Sequence, residues 1–204
     1  MGTSIVPAQR LEHYVFNCPG LGGAGGSSDF DSLAITAASP MSVASMIYAY
    51  KYVLGSFTNL KLTNAYTGID FFADNTGGGN PIYINNVFMY GVVNYGINSH
   101  SLGTGQCAGI ISNFYADGPT ATAIVLQGID GGWTISNIWI QAVAIGLDIV
   151  STSARPVNET TISNFIVDGG PIAGIRITGV GAGSPNDLSI NNGVGQTASD
   201  GVIV

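Results

Sequence analysis

Charge is what this chain has least of. Only 8% of its 204 residues are charged and five are basic, against about 25% charged residues in ordinary soluble proteins. With a net charge of −7, the balance argues against nucleic acid and anionic membrane surfaces as partners. Cysteine is almost as scarce. Cys18 and Cys107 form no Cys-x-x-Cys pair, so a metal or redox centre is not indicated, and two buried free thiols are expected. No apolar run approaches the roughly 18 residues that span a bilayer, so membrane insertion is not expected. Aliphatic residues are nonetheless too plentiful for a disordered chain. No signal-peptide pattern opens the sequence, and no phosphate loop, zinc spacing or EF-hand occurs. No cofactor or metal is therefore expected. Asn158-Glu159-Thr160 spells a glycosylation sequon, a match common by chance.

What the chain does have is a repeated phrase. It reads Phe57-Thr58-Asn59, Ile84-Asn85-Asn86, Ile111-Ser112-Asn113, Ile135-Ser136-Asn137, Ile162-Ser163-Asn164 and Ile190-Asn191-Asn192. Successive asparagines lie 27, 27, 24, 27 and 28 residues apart. A second phrase follows each, such as Gly68-Ile69-Asp70-Phe71, Gly146-Leu147-Asp148-Ile149 and Gly174-Ile175-Arg176-Ile177. A fixed period of this length marks a solenoid, in which each unit buries its apolar face only against its neighbours.

The segment Trp133 to Ser151 shows how one unit is built. Thr134-Ile135-Ser136 alternates polar and apolar residues, as a half-buried strand does. Asn137 breaks the alternation, and asparagine tolerates the left-handed conformation that a sharp bend needs. Ile138-Trp139-Ile140-Gln141 resumes it, and Gly146-Leu147-Asp148-Ile149 supplies a third strand. Three short strands per coil describe a parallel β-helix with rungs about 4.8 Å apart. Inward ladders follow, one from Phe57 through Ile84, Ile111, Ile135 and Ile162 to Ile190, another of Leu60, Val87, Phe114, Ile138 and Phe165. The six asparagines are expected to stack with each amide bonding the next, which satisfies amides that would otherwise be buried without partners. Six copies are more than catalysis requires, so the ladder reads as structural.

The expectation is an all-β, right-handed parallel β-helix of about seven coils over residues 30–204, preceded by an entry or capping segment at 1–29. Turn-rich linkers (Asp74 to Pro81, Ser101 to Gln106, Ser151 to Thr160, Gly179 to Asp187) should emerge along one edge. Ser32-Leu33-Ala34-Ile35 opens the first coil. Met41 to Leu54 also satisfies helix start and stop rules, with irregular β the preferred reading. Val202-Ile203-Val204 ends the sequence without a polar cap, which implies a continuing chain or a partner below it.

The coil pattern, with asparagine at the second bend, resembles the right-handed β-helix of the pectate-lyase-like group, which includes pectin-degrading enzymes and bacteriophage tailspikes. Gly174-Ile175-Arg176-Ile177-Thr178 is similar to the G-x-R-I-K stretch of polygalacturonases. Thr178 replaces its lysine, and the paired-Asp and Gly-His-Gly motifs of those enzymes are absent, so their activity is not carried over. The low charge and the Gly/Asn/Ser-rich composition look more like a viral tailspike or appendage. That resemblance implies a virion or extracellular location and a homotrimer of chains packed side by side.

Outward positions supply the candidate sites. Two residues beyond each bend stand Lys61, Phe88, Tyr115, Trp139 and Ile166, and two further on stand Thr63, Tyr90, Asp117, Gln141 and Asp168. An aromatic stripe beside a polar stripe suits sugar rings, which have an apolar face and a polar rim; Phe88, Tyr90, Tyr115, Trp139 and Gln141 are the carbohydrate-binding candidates. The commoner meaning of an exposed apolar stripe is a contact between chains, and a third reading is a surface beneath a loop. Asp117 and Asp168, about 9.6 Å apart by strand spacing, are the catalytic candidates, near the roughly 6.5–9.5 Å of inverting glycosidases. Solvation of both carboxylates is the simpler reading. In the third strand, Asp148 and Arg176 should form a surface ion pair worth under about 1 kcal/mol, with Asp70 three coils away. His13 and His100 lie apart, and no acid is placed beside His100, so a nucleophilic triad is not expected.

Three functions follow as expectations. The first is a tailspike-like β-helix module that recognises a bacterial surface polysaccharide during host attachment. The second is a glycoside hydrolase or lyase of the same fold that depolymerises it. The third is a purely structural virion decoration or assembly protein.

Overall fold

The computed structural model describes residues 3–5, 16–19, 27–50, 54–73, 81–101, 108–118, 122–127, 132–151, 157–170, 172–179, 187–197 and 200–203. These residues form an all-β, right-handed parallel β-solenoid with no helix among them. Two sheets run its length, one of nine strands and one of eight. The first contains Leu54–Thr63, Ile82–Tyr90, Gly109–Asp117, Trp133–Gln141, Thr161–Gly170 and Ser189–Thr197. The second contains Thr67–Ala73, Tyr95–Ser101, Thr122–Gln127, Ile145–Ser151, Ala173–Gly179 and Asp200–Ile203. Each inner strand pairs in parallel with its counterparts one turn before and after.

The expected three strands per coil become two. The first two fuse into a single nine- or ten-residue strand bent at its asparagine. Asn59, Asn86, Asn113, Asn137, Asn164 and Asn192 all have φ between 50° and 54°. One left-handed residue turns the chain without ending the pairing, and asparagine occupies that conformation at little steric cost. The regular part comprises about five turns rather than seven. The first coil is split at Ser32 (φ 56°) into Ser27–Asp31 and Leu33–Thr36, both paired with Leu54–Thr63. Ser45–Tyr50 is a strand paired with Thr67–Ala73, so the pairing ladder, not local helix signals, decides that segment. Thr3–Ile5 and Phe16–Pro19 extend the two sheets at this end. Cys107, His13, half or more of each linker and Val204 lie outside the described residues.

The core is the stack of inward ladders. Phe57, Ile84, Ile111, Ile135 and Ile162 are all fully buried, and Leu60, Val87, Phe114, Ile138 and Phe165 form the parallel column. In the second sheet Ile69, Ile97, Ile124, Leu147 and Ile175 continue the seam. Where the two sheets meet, the backbone must pass close to the rung below. A Cβ added at Gly146 would lie 2.5 Å from the Gly174 carbonyl and 2.8 Å from the Val167 methyls. The repeated glycine at the second position of this strand is therefore a packing requirement.

The asparagine ladder differs from expectation in two respects. Its members are exposed, because the left-handed bend turns their side chains outward. It is also not one column. Asn86 Nδ2 donates to Asn59 Oδ1 at 2.7 Å, but Asn113 Nδ2 crosses to Asn85 Oδ1 at 2.8 Å. At its start the ladder is closed by a carboxylate: Asp31 accepts from Thr58 Oγ1 at 2.6 Å and from Asn59 Nδ2 at 2.7 Å.

Candidate functional site

The alternation of the bent strands puts every second residue beyond the asparagine into solvent, and parallel pairing stacks those residues rung upon rung. Lys61, Phe88, Tyr115, Trp139, Ile166 and Val194 are successive register partners. Val194 is absent from the sequence-based column, although its position two beyond Asn192 marks it. Phe88, Trp139, Ile166 and Val194 are exposed, Trp139 by 51%.

The rings do not present equal surfaces. Phe88 and Tyr115 stack with centroids 4.5 Å apart and planes 9° apart, so each covers a face of the other. Lys61 Nζ caps this stack, 5.9 Å from the Phe88 centroid, within cation–π range. Trp139 lies nearly perpendicular to Tyr115, at 82° and 5.7 Å, and so stands outside the parallel stack. Beside it is an open hollow lined by Trp139, Phe165, Ile166 and Val194, with Asn137, Asn164 and Asn192 at its edge. Phe165 has room there because Gly193 lies beneath it; a Cβ at Gly193 would fall 1.9 Å from the ring.

The polar stripe is equally in register: Thr63, Tyr90, Asp117, Gln141, Asp168 and Gln196. Asp117 is half-buried and Asp168 exposed. Gln141 stands between them and donates from Nε2 to Asp117 Oδ2 at 3.3 Å. Burial, then the adjacent Asp117 carboxylate, pushes the Tyr115 hydroxyl above its ordinary range. Tyr90 and Asp117 also line a second hollow with Asn64 and Pro40. The carbohydrate candidates Phe88, Tyr90, Tyr115, Trp139 and Gln141 thus share one face with Asp117 and Asp168.

The second sheet corrects two expectations. An acid does stand beside His100: Asp70 Oδ1 lies 2.9 Å from His100 Nε2. The sequence-level comparison paired each residue only with its direct counterpart, Asp70 with Asn98. His100 reaches the carboxylate diagonally, a contact long side chains make across strands. The group is not a nucleophilic triad, since Ser45 Oγ donates to Asp70 Oδ2 at 3.1 Å rather than to the histidine. Asn98 adds a third bond to Asp70 at 3.0 Å, and Phe72 packs 4.9 Å from the His100 ring. The second correction concerns Asp148, which is buried rather than on the surface. Arg176 holds it through two bonds, from Nε at 2.9 Å and from Nη2, the forked geometry a guanidinium offers a carboxylate. Hydrogen bonding to Asp148 raises the Arg176 pKa further.

No protein-family profile, no curated protein and no solved structure matches this chain.

Proposed function

We propose that this chain is a β-helix module of a virion appendage, similar in pattern to the tailspikes of the pectate-lyase-like group, and that it recognises a bacterial surface polysaccharide. The observation that carries the reading is the in-register pairing of an exposed aromatic–aliphatic stripe with a hydrogen-bonding stripe along several rungs. A polymer of sugar rings needs both surfaces side by side and at a regular spacing. Trp139 is the primary platform, because it is the most exposed ring of the stripe and stands outside the Phe88–Tyr115 stack. Gln141, Asp117 and Tyr90 supply hydrogen bonds to hydroxyls at the rim.

The test is binding of the purified protein to an array of bacterial surface polysaccharides. Trp139→Ala should weaken it at least about tenfold, the scale of a central aromatic anchor, with the circular dichroism spectrum unchanged. If three copies instead pack along this stripe, Trp139 is buried in the trimer. Mass photometry would then show the assembly dissolve in Trp139→Ala, with no polysaccharide bound by either form.

A catalytic reading rests on Asp117 and Asp168 standing in one column two rungs apart. Gln141 occupies the intervening position and bonds Asp117, where an inverting glycosidase keeps room for water. Binding without cleavage is therefore preferred. Release of new reducing ends by the parent protein, lost in Asp117→Asn and Asp168→Asn, would reverse that preference.

A further inference from the structure

We propose that the hollow beside Trp139 is a subsite for the acetamido group of a neutral N-acetylated sugar, an assignment that rests on the polysaccharide-binding reading above. An acetamido group carries one methyl, one N–H and one carbonyl. The hollow offers the complement of each. Ile166 and Val194, 44% and 53% exposed, place branched aliphatic side chains in it beside Trp139 and the ring of Phe165. Asn137, Asn164 and Asn192, all exposed, line it too, and a primary amide has two donors and an acceptor oxygen.

The asparagine ladder loosens at this place. Its bonds are 2.7 and 2.8 Å in the upper rungs but 3.4 Å from Asn137 to Asn113 and 3.3 Å from Asn164 to Asn137. Among the described residues no bond joins Asn192 to Asn164. Long bonds are weak bonds, so these exposed amides keep hydrogen-bonding capacity that Asn86 and Asn113 use on Asn59 and Asn85.

Charge narrows the ligand further. Asp168 lies in the column next to Ile166 and Asp117 two rungs above, whereas Lys61 stands over Phe88, three rungs from Trp139. Uronates and other acidic sugars would meet the Asp168 carboxylate beside the hollow and Asp117 further along the same face, and a neutral acetamido sugar meets none of that repulsion.

Triacetylchitotriose and cellotriose differ only in carrying acetamido or hydroxyl groups at C2, and they make the test. In calorimetric titration the acetylated trisaccharide should bind at least about tenfold tighter, the discrimination one methyl in an apolar pocket supports. Its acetamido methyl should show the strongest saturation transfer in NMR. Val194→Ser and Ile166→Ser, both at exposed positions, should abolish that preference without altering the melting curve. Equal affinity for the two trisaccharides, or a preference unchanged in both serine variants, overturns the subsite. If neither trisaccharide binds while a bacterial polysaccharide does so in a Trp139-dependent manner, the subsite is overturned and the broader reading survives. Failure of every polysaccharide to bind removes both.

Discussion

The middle rungs and the last rung obey the same sequence rule with different results. At Ile84, Ile111, Ile135 and Ile162 the inward side chain is fully buried, whereas its successor Ile190 is only partly so. Beside it Gly193 and Gly195 stand where the preceding rung has Phe165 and Val167. Among the described residues a middle rung has pairing partners on both sides, and the last rung has them on one. Burial in a solenoid is a property of the stack and not of the repeat. The same rung, through Gly193 and Val194, borders the hollow beside Trp139.

The largest test of this contrast is a pair of truncations. Phe114→Ala, in a covered rung, should cost about 3–5 kcal/mol, while Ile190→Ala should cost about 1 kcal/mol because little area leaves contact. Urea midpoints of the two variants would show it, and equal losses would refute the idea that position in the stack sets the cost. Gly146→Ala should destabilise by about 1–3 kcal/mol, since its methyl has only the Gly174 carbonyl and Val167 to meet. Thermal melts measure this directly. A smaller change of opposite sign is expected at Ser99, whose Oγ is buried without a hydrogen-bond partner between Phe71 and Leu126. Ser99→Ala should stabilise by about 1 kcal/mol, removing a desolvated hydroxyl from an apolar ladder.

The smallest effect concerns pH at the opposite end. Hydrogen bonds from Thr58, then Asn59 and Ser32, hold the Asp31 carboxyl below its ordinary value of 3.8. As pH falls, the unfolded chain takes up this proton first, so the contribution is present above the ordinary value and is lost as pH drops through the lowered one. Asp31→Asn should flatten the melting temperature across that acid window and lower it slightly at neutral pH, where the parent carboxylate makes its full contribution. An acid dependence identical to that of the parent protein would show that the carboxylate is not the group responsible.

The ladder and stripe positions were legible because a rigid period converts sequence spacing into vertical alignment. Phe88, Tyr115 and Trp139 could be placed in one column from the asparagines alone. Ring orientation was not legible, since a period says nothing of χ angles; that Trp139 stands across the Phe88–Tyr115 stack depends on side-chain packing. The His100–Asp70 contact escaped for a related reason, because it runs diagonally between rungs. The fusion of two expected strands into one reflects backbone geometry, in which a single left-handed residue bends the chain and leaves the pairing intact.

By itself the sequence determined the parallel β-helix, the bend at each asparagine, the inward ladders and the two outward stripes, because alternation and period are local and repeat. Only the tertiary structure decided which rings offer a free face, which carboxylates are partnered, and where a hollow opens. Those depend on side chains meeting across rungs and on how completely each rung is covered, and neither is written in the spacing of residues along the chain.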